Sequence, residues 1–146
     1  MSGNAVMFKV MPQVYDYYII RSREIVAAYP RAVVLKTDGW NETLSECRCG
    51  FDIDMPVLGH IGATEEYAIE ILADRAASLK KKCPTVNVVT GDLTSYDFGA
   101  EKFDVILDLS TIDHIHPSDL QAVLKSYTKW LKPGGCLWLV VWLGYV

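Results

Sequence analysis

The sequence predicts an α/β domain: a mostly parallel sheet of about five strands with helices on both faces. Three observations carry that prediction. Short apolar runs rich in β-branched residues alternate along the chain with longer amphipathic stretches. The last run, Cys136 to Val141, is nearly all apolar, as a strand buried on both faces is. Turn signals at Pro30, Asp38-Gly39, Gly91-Asp92 and Pro133-Gly134-Gly135 separate the runs. Strands alternating with helices close right-handed βαβ units, and these make a parallel sheet.

The first amphipathic stretch runs from Pro12 to Tyr29, with Val14, Tyr17, Tyr18, Ile25, Val26 and Tyr29 at helical spacing, and ends near Pro30. Ala32 to Leu35 is the first strand, turned by Lys36-Thr37-Asp38-Gly39 into a short polar segment with a helical turn around Asn41 to Cys47. Two registers compete for the second strand, residues 49–53 or residues 57–61. Thr64-Glu65-Glu66-Tyr67 then reads as the capped start of a helix that continues to Lys80-Lys81-Lys82, where cations meet the negative end of the helix dipole. Val86 to Thr90 is the third strand and Phe103 to Leu109 the fourth. A loop from Ser110 to Pro117 leads to a helix over 118–131, with Leu120, Val123, Leu124, Tyr127 and Leu131 on one face. Pro133 stops it, and the fifth strand follows.

The whole of residues 1–146 reads as a single domain, with no internal repeat and no linker. The chain has 14 Lys+Arg against 18 Asp+Glu, a net charge of −4. An acidic surplus gives no basic face for a nucleic-acid backbone or an anionic bilayer. No apolar run approaches the ~20 residues of a membrane helix. Four scattered cysteines, Cys47, Cys49, Cys83 and Cys136, make no disulfide framework, and no basic-then-apolar leader opens the chain. The expectation is a reduced, cytoplasmic protein that acts on a small molecule.

In an open parallel sheet, ligands bind outside the carboxyl ends of the strands, where the strand order reverses. The residues there are Lys36 to Gly39, either Asp52-Ile53-Asp54 or Gly62-Ala63-Thr64, Asp92-Leu93, and Asp108 to Thr111. Acids recur at these ends and suit ribose hydroxyls or an exocyclic amine. The chain has no phosphate-cradling Gly-x-x-x-x-Gly-Lys-Ser/Thr loop, so a nucleoside without a polyphosphate fits better than ATP or NAD.

The series Gly91-Asp92, Tyr96-Asp97-Phe98, Phe103-Asp104-Val105-Ile106, a His-containing loop, a helix and Leu131-Lys132-Pro133-Gly134-Gly135 resembles the class I S-adenosylmethionine-dependent methyltransferases. The first loop, Lys36-Thr37-Asp38-Gly39-Trp40-Asn41-Glu42, and the loop Ser110-Thr111-Ile112-Asp113-His114 resemble a variant subgroup with Lys-Thr-Asp in place of the glycine-rich motif. The resemblance implies a Rossmann-like methyltransferase sandwich with S-adenosyl-L-methionine as cofactor. It implies Thr37, Asp38 and Gly39 against the methionine part, Asp92 on the adenine amine with Leu93 against the ring, and Asp108, Leu109 and Ser110 closing the pocket. Family members carry an acid at the end of the second strand for the ribose hydroxyls. The register 57–61 ends in Ile61-Gly62-Ala63 without one, while the register 49–53 supplies Asp52 and Asp54. The family fold continues past the fifth strand with a helix and an antiparallel hairpin, which is expected to be missing here because the chain stops at Val146. The last strand would then be an exposed apolar edge: either a second copy pairs there, a homodimer contact shared by Leu143 to Val146, or the chain is a trimmed member of the family.

Plainer readings stand beside these. Asp92 after Gly91 is also a turn acid, Asp38-Gly39 a turn dipeptide, and Lys36 a structural bridge to a carboxylate such as Asp108. His114-Ile115-His116 with Asp113 can face a metal, but no third well-spaced ligand is evident, and a helix-capping loop is preferred; no metal is expected. Cys47 and Cys49 lack a second pair. Trp40, Trp130, Trp138 and Trp142 are core or interface residues. Methyl transfer from a sulfonium needs a base only where the acceptor must lose a proton, and Asp113 or His114 is placed for it. Two functions follow: methyl transfer to a small-molecule acceptor, or a non-catalytic methyltransferase-like module that dimerises or binds a partner.

Overall fold

A computed structural model of the chain describes residues 12–39 and 57–141. Its elements, in chain order, are α1 (Pro12–Ala27), β1 (Val33–Lys36), β2 (Glu65–Glu70), α2 (Ala73–Lys82), β3 (Asn87–Thr90), β4 (Phe103–Leu109), a 3₁₀ turn (Ile112–His114), α3 (Pro117–Trp130) and β5 (Leu131–Val140). The strands form one sheet in the order β3-β2-β1-β4-β5, and each neighbouring pair is parallel. The order reverses between β1 and β4, which is where such sheets open a crevice at their carboxyl edge.

Successive strand residues face opposite sides, and the two sides have different covers. Val34, Val105, Leu107 and Leu109 pack under Tyr18, Ile19 and Val26 of α1. On the same side Ala68 meets Leu79 of α2 and Cys83. Leu35, Ile69 and Ile106 face the other way, against Val123, Tyr127 and Trp130 of α3. The predicted α/β sandwich with helices on both faces is therefore the observed one.

The second strand is where sequence and structure part. Residues 57–61 are turns and bends, residues 49–53 lie outside the described residues, and β2 is Glu65–Glu70, in the stretch expected to open a long helix. Only the second half of that helix exists, as α2. Glu65, Glu66 and Ala68 favour a helix by propensity, but pairing with both β1 and β3 overrides it. Val57, Leu58 and Ile61 owe their apolar character to the core they enter as an irregular segment. Glu66 is buried beside them, its Oε2 accepting the Gly59 N–H at 2.6 Å.

The fifth strand also differs in extent and burial. It begins at Leu131, directly after α3, and Pro133-Gly134-Gly135 bulges out of register: Phe103 faces Leu131 while Val105 faces Cys136. Gly135 is required there, since a Cβ would stand 2.9 Å from the Lys132 carbonyl and 3.0 Å from that of Asp104. Among the described residues β5 is an edge strand, so it is half-buried rather than enclosed on both faces. The expected turn at 41–47 and the tail from Trp142 lie outside the described residues.

Candidate functional site

The loops after β1, β2, β3 and β4 leave the same carboxyl edge of the parallel sheet, and each brings polar groups. After β1, Lys36 is buried and its Nζ donates to the Asp38 carbonyl. Thr37, also buried, takes its N–H to the Leu107 carbonyl at 3.1 Å, and its hydroxyl donates to Thr111 Oγ1 at 2.9 Å. Thr37 thus joins β1 to the loop after β4 across the point where the strand order reverses. Gly39 packs against α2, where a Cβ would come within 2.3 Å of Leu79 Cδ2.

The end of β2 supplies a residue the sequence reading left out. Glu70, 6% exposed, closes the strand, and its Oε1 accepts the Leu72 N–H at 3.2 Å. Burial, and next the charge of Asp38, push its carboxyl above the usual glutamate range, although the Leu72 N–H pulls the other way. An acid therefore closes the second strand, and both expected registers, 57–61 without an acid and 49–53 with Asp52 and Asp54, set that strand too early in the chain. A signal for it exists in the sequence: Tyr67, Ile69 and Ile71 alternate with Glu66, Ala68 and Glu70, a period of two.

After β3, Asp92 is exposed and accepts both the Thr94 N–H (2.8 Å) and the Thr94 hydroxyl (2.7 Å) on Oδ1. These bonds hold its carboxyl below the usual aspartate range. Asp92 thus caps its own turn, and it stands exposed just past the carboxyl end of β3. Leu93 beside it is buried, while Ile71 next to Glu70 is 62% exposed, an apolar side chain left in the open at the strand ends.

After β4, Asp108 is fully buried and its carboxylate is engaged inside the protein. Oδ1 accepts the N–H groups of Thr111 (2.8 Å) and Ile112 (3.1 Å), and Oδ2 accepts the Tyr127 hydroxyl at 2.6 Å. Burial pushes its carboxyl up, against those three bonds. Leu109 belongs to the core under α1. Ser110 has φ +72°, and its buried Oγ meets no hydrogen-bond partner among the described residues. Backbone strain and an unpaired buried hydroxyl thus fall on the same residue. Asp113 and His114 sit exposed in the 3₁₀ turn, and His116 caps α3, its Nδ1 accepting the Ser118 N–H at 3.2 Å. Among the described residues no three His, Cys, Asp or Glu side chains gather as a metal site.

The carboxyl ends of β1 to β4 thus carry Asp38, Glu70, Asp92 and, turned inward, Asp108, and the sequence has no phosphate loop. A family model described as a methyltransferase domain matches residues 50–135, more than half of the chain. The chain belongs to that family. No curated protein matches it in sequence. Among solved structures, this methyltransferase domain is similar to the S-adenosylmethionine-bound amino pentose methyltransferase CalS10 from Micromonospora echinaspora, with 21% identity and a TM-score of 0.66 over 88% of this chain and 50% of that one. It is similar as well to the N-methyltransferase NodS from Bradyrhizobium japonicum, solved with S-adenosylhomocysteine (13% identity, TM-score 0.64, 86% of this chain, 59% of that one). A third is the 1,6-didemethyltoxoflavin-N1-methyltransferase of Burkholderia thailandensis (20%, 0.58, 90% and 56%). At these identities the likeness is one of fold, and the chain spans about half the length of these proteins. Among the described residues of the methyltransferase domain no helix is long and apolar enough to cross a membrane.

Proposed function

We propose that this methyltransferase domain binds S-adenosylmethionine in the crevice at the carboxyl edge of β1 to β4 and serves methyl transfer to a small-molecule acceptor. The observation that carries the reading is Glu70. A carboxylate buried at the end of a central strand, with its pKa raised by the burial, gains from accepting hydrogen bonds, and two ribose hydroxyls donate them. Ser110 supports the same reading, because its orphaned hydroxyl gains a partner when a polar ligand enters. The residues present fit the cofactor.

In this reading Glu70 holds the ribose, Asp92 accepts from the adenine amine, and Ile71 and Leu93 flank the ring. Thr37, Asp38 and Gly39 line the methionine end, and Ser110 closes the pocket with Leu109 behind it. Asp38 lies within Coulombic reach of both Glu70 and Asp108 and raises the carboxyl pKa of each. Such a crevice favours a cation, and the bound cofactor supplies one as the sulfonium that carries the electrophilic methyl group. The chain's part is to align the acceptor and exclude water. Where the acceptor must lose a proton, Asp113 or His114, exposed beside the crevice, takes it.

The test is calorimetric titration of the chain with S-adenosylmethionine and S-adenosylhomocysteine. Saturable heat from both, lost in Glu70→Ala at unchanged secondary structure, is the expected result. A folded chain that gives no heat with millimolar ligand would sink the reading. A second reading, a module that pairs through β5, rests on the edge position of that strand with Leu139 and Val141 exposed. A monomer mass in solution would remove it, and a dimer that β5 charge substitutions dissociate would sustain it.

A further inference from the structure

A buried chain of hydrogen bonds begins on α3 and ends in the loop after β4. Tyr127 donates to Asp108 Oδ2 at 2.6 Å, Asp108 Oδ1 accepts from Thr111 and Ile112, and Thr37 donates to Thr111 Oγ1. Tyr127 and Asp108 are both fully buried, so water does not compete for these bonds. The packing of α3 does not ask for a hydroxyl at this place, since the neighbours of Tyr127 in the core include Val123, Trp130 and Ile106 and a phenyl ring fills the same volume. Burying a phenol hydroxyl without a partner costs free energy, and here the partner is Asp108. Asp108 in turn reaches across Ser110 to the Thr111 and Ile112 N–H groups. That bridge spans the residue held at φ +72° and leads into the turn that carries Asp113 and His114.

We infer that Tyr127 is a positioning residue: through Asp108 it fixes the loop 110–114, and with it Ser110, in the arrangement the crevice uses. The part that touches ligand rests on the cofactor reading above, whereas the part that concerns the loop does not. Tyr127 reaches the proposed cofactor contacts from behind, through its hydrogen bonds to Asp108 and to Thr37.

The experiment compares Tyr127→Phe with Val123→Ala, which loosens the same face of α3 without touching the hydrogen bonds. Amide exchange is read residue by residue, and affinity for S-adenosylhomocysteine is measured on the same samples. Tyr127→Phe is expected to speed exchange at Thr111 and Ile112 about ten-fold beyond what its global stability accounts for, as loss of a hydrogen bond to a charged group does. Val123→Ala is expected to change these two amides only in step with global stability. Affinity is expected to fall several-fold in Tyr127→Phe and to hold in Val123→Ala. Equal acceleration in both variants, or none in Tyr127→Phe, overturns the inference. A wild-type chain that protects both amides, loses that protection in Tyr127→Phe and gives no ligand heat sustains the role of Tyr127 and overturns the cofactor reading instead. If Tyr127→Phe does not fold, Asp108→Asn carries the test: unchanged exchange at Thr111 and Ile112 overturns the inference, and local acceleration supports it.

Discussion

Val33 donates its backbone N–H to Asp104 Oδ2 at 2.8 Å, the same oxygen that receives the Lys132 ammonium at 2.8 Å. One carboxylate on β4 thereby fixes the first residue of β1 and the start of the bulge in β5. Burial raises the Asp104 carboxyl, but Lys132 and the Val33 N–H outweigh it and leave it below the ordinary 3.8. A depressed carboxyl stabilises the fold above its unfolded value and loses that contribution as pH falls through the folded one. Asp104→Ala is expected to cost about 1–2 kcal/mol in urea unfolding at pH 7, with the gap to wild type closing as pH is taken below 3.8.

Glu70 has the opposite sign. Its carboxyl is raised in the fold, chiefly by burial, so the ionised group works against the ligand-free protein once pH climbs above the ordinary value of 4.5. Glu70→Gln is therefore expected to melt higher than wild type at pH 7.5 and to lose that advantage on acidification toward 4.5. The same variant should bind S-adenosylhomocysteine at least about ten-fold more weakly, since a charged acceptor is replaced by a neutral one. Thermal melts across pH, with and without ligand, check both halves. A variant that gains stability and keeps its affinity would remove Glu70 from the site.

At Gly39 the constraint is packing and not an unusual φ. A methyl group there would meet Leu79 Cδ2 at 2.3 Å, and Leu79 is fully buried, so the leucine must move within a filled core. Gly39→Ala is expected to cost about 1–3 kcal/mol. In a double-mutant cycle with Leu79→Ala, the pair should cost less than the sum of its members, because the cavity left by one accepts the methyl of the other.

Asp97 gives a direct titration. The Lys129 ammonium at 2.5 Å, the Gly99 N–H and the Trp130 indole N–H hold its carboxyl down to about 2. An NMR titration should find the midpoint there, and Lys129→Ala should return it toward 3.8.

The element boundaries show what a single sequence carries. Phe103–Leu109 is read residue for residue, because a run of Phe, Val, Ile and Leu broken only by Asp104 and Asp108 and bounded by turns has the character of a buried parallel strand. α3 is found within one residue, because Pro117 and Pro133-Gly134 bracket its amphipathic pattern. Glu65–Glu70 is missed because its helix-forming glutamates and alanine outvote a three-residue alternation, and because the pairing that makes it a strand lies more than 15 residues away on either side, in Val33–Lys36 and Asn87–Thr90. That one misplacement hid Glu70, the residue on which the cofactor reading now turns. Asp108 was legible as a strand-end acid, but its full internal engagement was not, since nothing in the sequence pairs it with Tyr127 nineteen positions on.

Ser110 offers a prediction in which stability and binding move in opposite directions. An L-residue at φ +72° pays a conformational penalty that glycine does not, and the buried hydroxyl is left unpaired in addition. Ser110→Gly removes both terms, so the ligand-free protein should gain about 1 kcal/mol in stability. Ser110→Ala removes the hydroxyl alone and keeps the strain, so its gain should be the smaller. If the hydroxyl meets the ligand, both variants lose affinity for S-adenosylhomocysteine to a similar degree, because the missing group is common to them. If only the backbone geometry matters, Ser110→Ala binds like wild type and Ser110→Gly alone is weakened by the freedom it returns to the loop. Calorimetry on the two variants decides between them, and a glycine variant that is less stable than wild type would show that the strain is offset by contacts the Cβ makes.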